Sequence, residues 1–69
     1  MPKKIRELKQ MLRKAGWLEI AGGGKGSHTT WAHPDVQRTI TLSGKDGGDA
    51  RRYQEKDVAR GVREALEGG

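Results

Sequence analysis

The sequence predicts an α+β domain in the order helix, three strands, helix, and three observations predict it. Two segments repeat apolar residues at helical spacing, and three short segments between them alternate or favour extended structure. Glycine or proline stands at the junctions. Short connections make the strands an antiparallel meander. Each helix has one apolar arc, so the economical packing is a three-stranded antiparallel sheet with two helices on one face.

The elements follow in order. Residues 3–15 place Ile5, Leu8, Met11, Leu12 and Ala15 on one arc and Lys3, Arg6, Lys9, Arg13 and Lys14 on the opposite one. Gly16 supplies a left-handed stop. Residues 17–21 read as a strand with Leu18 and Ile20 on one face. Residues 22–26 hold four glycines and form a loop whose backbone can approach a ligand closely. In residues 28–33 the Thr pair and Trp31 favour a strand, and His33-Pro34-Asp35 begins a turn. Residues 38–42 alternate, with Ile40 and Leu42 on one face. Residues 43–53 are polar and irregular. A second helix is predicted near 56–67, with Val58, Val62, Ala65 and Leu66 sharing an arc with Ala59 and Gly61. Asp57 is its expected cap or dipole partner. Arg60–Glu64 and Arg63–Glu67 are spaced to pair on its outer face.

A chain of 69 residues is expected to be one domain, 1–69, with a thin core. Such a core leaves about 3–5 kcal/mol of net stability. The absence of cysteine excludes disulfides and Cys-based zinc sites, and it favours the cytoplasm. No apolar run suggests a signal peptide or membrane span. The net charge of +5 is segregated: residues 1–16 carry six basic groups and one acidic group, residues 17–48 three of each, and residues 49–69 five of each. The excess therefore lies in the first helix. A basic surface of this kind suits a polyanion such as nucleic acid, or serves solubility alone.

The stretch Lys25-Gly26-Ser27-His28 bears most on chemistry. It brings a cation, a hydroxyl and an imidazole to the start of a strand. Histidine, with an ordinary pKa of about 6.5, takes and gives protons near neutrality. RNA cleavage needs little more, because the 2′-hydroxyl is a nucleophile already in place. The competing reading is a common glycine-rich hairpin beside a surface histidine. The loop is not a P-loop, since a strand and not a helix follows it. Lys25 and Lys45 are candidate phosphate contacts, and Arg51 and Arg52 are either contacts or merely solvated. His33, before a proline in a turn, reads as structural. Trp17 and Trp31 read as core or sheet-face residues rather than base-stacking platforms. Two histidines, no cysteine and no close carboxylate cluster make a dedicated metal site an unattractive reading.

The ordered set Gly26-Ser27-His28, Trp31, His33-Pro34-Asp35 and Gly44-Lys45-Asp46 resembles the HicA family of toxins from bacterial toxin–antitoxin pairs. Gly16-Trp17 and the run Tyr53-Gln54-Glu55-Lys56-Asp57-Val58 extend the resemblance over nearly the whole chain. It implies a double-stranded-RNA-binding-domain-like fold and metal-independent cleavage of mRNA with His28 as the catalytic residue. It also implies neutralisation by a HicB-type antitoxin. The RNA contacts expected from the residues themselves are Lys25, Gly26, Ser27 and Lys45, and no cofactor is expected. The sequence departs at Thr29, where many relatives carry a second His. Two alternatives stand beside the enzyme: an RNA-binding domain of the same fold without cleavage, and a fold that serves only as a protein partner in a repressor complex.

Overall fold

Helix α1 (Ile5–Lys14) and helix α2 (Arg52–Glu67) lie on one face of a sheet of three strands, β1 (Leu18–Ala21), β2 (His28–His33) and β3 (Val36–Ser43). The sheet order is β1-β2-β3 and both pairings are antiparallel. This architecture is seen in a computed structural model, which describes residues 3–22 and 28–68. The predicted α+β order and sheet are therefore present.

One core joins the two layers. Ile5, Leu8 and Leu12 descend from α1, and Val58, Gly61 and Ala65 from α2, onto Trp31 of β2 and Ile40 and Leu42 of β3. Trp17 completes the cluster, so both tryptophans are core residues. Their indole N–H groups find acceptors inside: Trp17 Nε1 donates to the Gly61 carbonyl at 3.3 Å and Trp31 Nε1 to Thr29 Oγ1 at 3.0 Å. Gly61 is glycine because a Cβ there would collide with Ile40 Cδ1 and stand 3.1 Å from Trp17. The opposite sheet face, with Gln37, Thr39 and Thr41, is open to solvent.

Helix α1 ends as predicted. Gly16 has φ +93°, its N–H donates to the Arg13 carbonyl, and the Trp17 N–H donates to the Leu12 carbonyl. This paired closure satisfies two carbonyls that the last turn would otherwise orphan.

Four expectations need correction. Helix α2 begins at Arg52, a turn earlier than residue 56. Gln54 takes the inward position there although it is polar. Its Oε1 accepts the Arg51 N–H at 2.8 Å, and its Nε2 donates to the Ser43 carbonyl at 2.9 Å. Asp57 is thus not a cap: it lies within α2 and pairs with Arg38 Nη1 at 2.9 Å. Ala59 and Leu66 are exposed, because they sit about 80–100° around the helix from Val58. Finally, Arg60 and Glu64 pair as expected at 3.4 Å, with Glu64 also holding Arg38 at 3.0 Å, but among the described residues Arg63 and Glu67 form no ion pair.

Arg38 thus clamps β3 to α2. Partial burial works against its charge, but hydrogen bonds from its guanidinium to Asp57 and Glu64, and their charges, outweigh that and raise its pKa.

Candidate functional site at the open end of the sheet

Strand alternation decides where His28 points. Trp31 and Thr29 face the helices and are buried, so His28 and Thr30 face the open side, where His28 is exposed. Its cross-strand partner is Ser43, and Thr30 is opposite Thr41. The imidazole therefore stands on an open surface with Thr30 and Thr41, where a bulky substrate can reach it; the Ser43 hydroxyl accepts from Gln54 Nε2 at 3.2 Å.

The approach to His28 is set by Gly22. This residue has φ +122°, and a Cβ on it would stand 2.6 Å from the His28 carbonyl oxygen and 2.8 Å from Thr29 Cα. The glycine run signalled a flexible loop; at Gly22 it also meets a steric requirement. Lys25, Gly26 and Ser27, the sequence-predicted contacts before His28, lie outside the described residues. Lys45 is exposed and follows two residues after Ser43, so the backbone brings it to the same end of the sheet as His28.

Thr29 is buried, with its hydroxyl accepting from Trp31 Nε1. Alternation places residue 29 on the helical face, across the sheet from the His28 side chain. Thr29 is therefore a packing residue here and offers no group beside the imidazole.

His33 is built into the scaffold. The Asp35 N–H donates to its Nδ1 at 3.0 Å, which leaves Nε2 as the protonated nitrogen, donating to the Ala15 carbonyl at 3.1 Å. Its ring packs against Trp17 with centroids 5.6 Å apart. One imidazole thus ties the end of α1 to the β2–β3 turn.

The basic helix is less bare than the sequence suggests. The connection after β3 folds back over the start of α1: Ile5 N–H donates to the Gly48 carbonyl and Arg6 N–H to the Asp46 carbonyl. Lys4 then pairs with Asp49, and Lys9 with Asp46, each at 2.6 Å. Lys9, by hydrogen bond and charge, with Arg13 and Arg6 behind it, holds the Asp46 carboxyl below its ordinary pKa. Ala50, in the same connection, is buried. Sequence reasoning missed these contacts because nothing local in a polar connection says which helix it will cover. A cleft of about 740 Å³ lies between the helices, lined by Met11, Ala50 and Ala59 together with Lys3, Arg52, Glu55 and Lys56. Among the described residues, no three His, Asp or Glu side chains gather as metal ligands.

The sequence model of a family described as the HicA toxin of bacterial toxin–antitoxin systems matches residues 5–63. No curated protein and no solved structure matches the chain.

Proposed function

The chain belongs to the HicA toxin family of bacterial toxin–antitoxin systems, and from that premise we propose that it is an endoribonuclease that cleaves mRNA with His28. The observation that carries the reading is the placement of His28: an exposed imidazole on the open sheet face, at the end that also presents Lys45. The α1-β1-β2-β3-α2 order fits the double-stranded-RNA-binding-domain-like fold that the resemblance implies.

In this mechanism His28 accepts the proton of a ribose 2′-hydroxyl. The 2′-oxygen forms a bond to phosphorus, the bond from phosphorus to the 5′-oxygen breaks, and a general acid returns a proton to that oxygen. The products are a 2′,3′-cyclic phosphate and a 5′-hydroxyl. General acid–base catalysis of this kind contributes about 10²–10⁴-fold. Lys45, together with Lys25 and the backbone of Gly26 and Ser27, would neutralise the phosphate as charge builds on it. No metal enters the scheme. Like others of its family, the toxin would work in the cytoplasm and be held in check by a HicB-type antitoxin.

The second reading, an RNA-binding domain that does not cleave, is favoured by the exposed cations of α1, Arg6, Arg13 and Lys14. One experiment separates the two. Purified wild type and His28→Ala are incubated with RNA in chelator, and product ends are mapped. The enzyme reading expects cyclic-phosphate ends from wild type alone, with both proteins equally folded. Cleavage by His28→Ala at the wild-type rate would remove His28 from the mechanism. Activity that vanishes in chelator and returns with a divalent ion would remove the metal-independent scheme.

A further inference from the structure

Arg6, Lys9 and Arg13 fall within about 60° of one another around α1, on a flank of the helix beside its buried arc. Arg13 extends over the edge of the core, its guanidinium 5.2 Å from the Trp31 ring centroid. Lys9 holds one anion, Asp46, at 2.6 Å, and the charges of Arg13 and Arg6 act on that carboxylate without touching it. That carboxylate is carried by a turn whose backbone is pinned to the start of α1, through the Arg6 N–H to the Asp46 carbonyl at 3.1 Å. The Asp46 side chain is 64% exposed, whereas that of Lys9 is only 15% exposed. Asp46 can therefore swing into water at little cost, while the ammonium stays where it is. The ridge begins at the His28 end of the sheet, because the connection that carries Asp46 leaves β3 at Ser43, the cross-strand partner of His28.

A carboxylate and a phosphodiester offer the same chemistry to such a cluster, namely anionic oxygens that accept charge-assisted hydrogen bonds. We propose that Lys9, flanked by Arg6 and Arg13, is a phosphodiester subsite for the RNA backbone, and that Asp46 occupies it in the free protein as a built-in counter-ion. RNA binding then exchanges one anion for another. The lowered pKa of Asp46 agrees with a site that favours negative charge. The subsite deepens the RNA reading above and rests on it, but it does not depend on His28 acting as a catalyst.

The test uses protein carrying His28→Ala, so that RNA is retained, and reads the anisotropy of a short fluorescein-labelled single-stranded RNA across a salt series. Asp46→Asn is expected to bind roughly two- to fivefold tighter, as expected for release of one exposed ion pair. Its salt dependence should steepen by less than the roughly 0.7 units of a whole phosphate contact, because the contact is the same and only the uptake of a cation by the displaced Asp46 carboxylate is removed. Lys9→Gln is expected to bind more weakly, with a slope shallower than that of Asp46→Asn, and Lys9→Gln/Asp46→Asn should show no gain over Lys9→Gln. Asp46→Asn that binds no tighter than its parent would overturn the proposal. So would an equal gain in the Lys9→Gln background, which would mean that only net charge had changed. Circular dichroism confirms that each variant is folded, and Lys9→Gln with unchanged affinity would overturn the proposal independently. Wild-type cleavage is measured separately, so failure of the catalytic reading and failure of this subsite are told apart.

Discussion

Gly22 lies so close to His28 that no other residue fits between them without moving the backbone. A Cβ would approach the His28 carbonyl oxygen to 2.6 Å, and the φ of +122° is itself outside the range L side chains favour. A strained dihedral of this kind costs about 1–3 kcal/mol, before the clash is counted. Set against about 3–5 kcal/mol for a domain this small, Gly22→Ala is expected to unfold the protein or displace the hairpin that carries His28, with loss of RNA cleavage. Gly47 is the control, since a Cβ there meets nothing within 4 Å; Gly47→Ala should change stability by no more than about 0.5 kcal/mol. Thermal unfolding of the pair is the measurement, and equal small effects would show that the close approach does not constrain this segment.

The two histidines should separate cleanly in mutagenesis. His28 is exposed, so His28→Ala should leave stability within about 0.5 kcal/mol while cleavage falls by about 10²–10⁴-fold. His33 accepts from Asp35 N–H and donates to the Ala15 carbonyl, so His33→Ala should cost about 1–3 kcal/mol. Per folded molecule its cleavage should match wild type. Denaturant titration together with initial rates measures both, and a His33→Ala protein that is fully folded yet inactive would contradict this division.

How much of this was legible in the sequence follows from the range of the interactions. Gly16 announces its role because helix termination is local: the glycine, the last turn and the φ of +93° are neighbours in the chain. Trp17 and Trp31 were legible as core or sheet-face residues, but neither their full burial nor their acceptors, Gly61 and Thr29, which depend on packing. Helix α2 was read a turn too short because its first inward residue is Gln54, polar and satisfied by Ser43 across the fold. Residues 28–33 alone do not say which face carries His28, since either Thr30 or Trp31 could turn toward the core; the sheet buries Trp31. Likewise the charge of α1 was counted correctly while the return of Asp46 and Asp49 onto it was out of reach of any local pattern.

Arg38 offers a stability prediction. It is about one-third exposed and bridges Asp57 and Glu64, two carboxylates that would otherwise share the same space on α2. Arg38→Ala is expected to destabilise by about 1–2 kcal/mol, less than a fully buried charged hydrogen bond because water screens the pair. Arg38→Met/Asp57→Asn should recover part of the loss, since it removes both a cation and one of the anions it faces. A double variant no more stable than Arg38→Ala, measured by urea titration, would argue that the clamp acts through packing of the arginine stem.

The Asp46 pair sets a pH dependence whose sign is fixed. Its carboxyl is held below the ordinary value of about 3.9, first by the hydrogen bond from Lys9 and then by charge. A lowered folded pKa contributes stability that is present above the unfolded value and is lost as pH falls through the folded one. NMR titration of the Asp46 carboxyl carbon is expected to show a midpoint below that of an exposed aspartate, and Lys9→Gln should move it upward. A midpoint unaffected by Lys9→Gln would mean that the pair does not persist in solution.

The antitoxin should be felt at β1. Both tryptophans are buried, so apolar surface for a partner on the open face and the adjoining sheet edge is offered by Leu18 and Ile20, which are 66% and 59% exposed. Leu18 pairs with Ala32 across the sheet and thereby shares the open face with His28. β1 is also an edge strand, with one side of its backbone unpaired within the sheet. A HicB-type antitoxin that blocks RNA by covering His28 would bury these side chains, and their burial would slow its release. Leu18→Glu should leave the free toxin folded, because the side chain has little to lose. The same change should weaken the complex by about 2 kcal/mol or more, roughly thirtyfold. The competing arrangement has the antitoxin grip the cleft between the helices and act by bulk. In that case Ala59→Glu, at an exposed position that lines the cleft, would weaken the complex and Leu18→Glu would not. Calorimetric titration of the two variants against the antitoxin decides between the faces, and loss of affinity confined to Ala59→Glu would show that His28 is left uncovered.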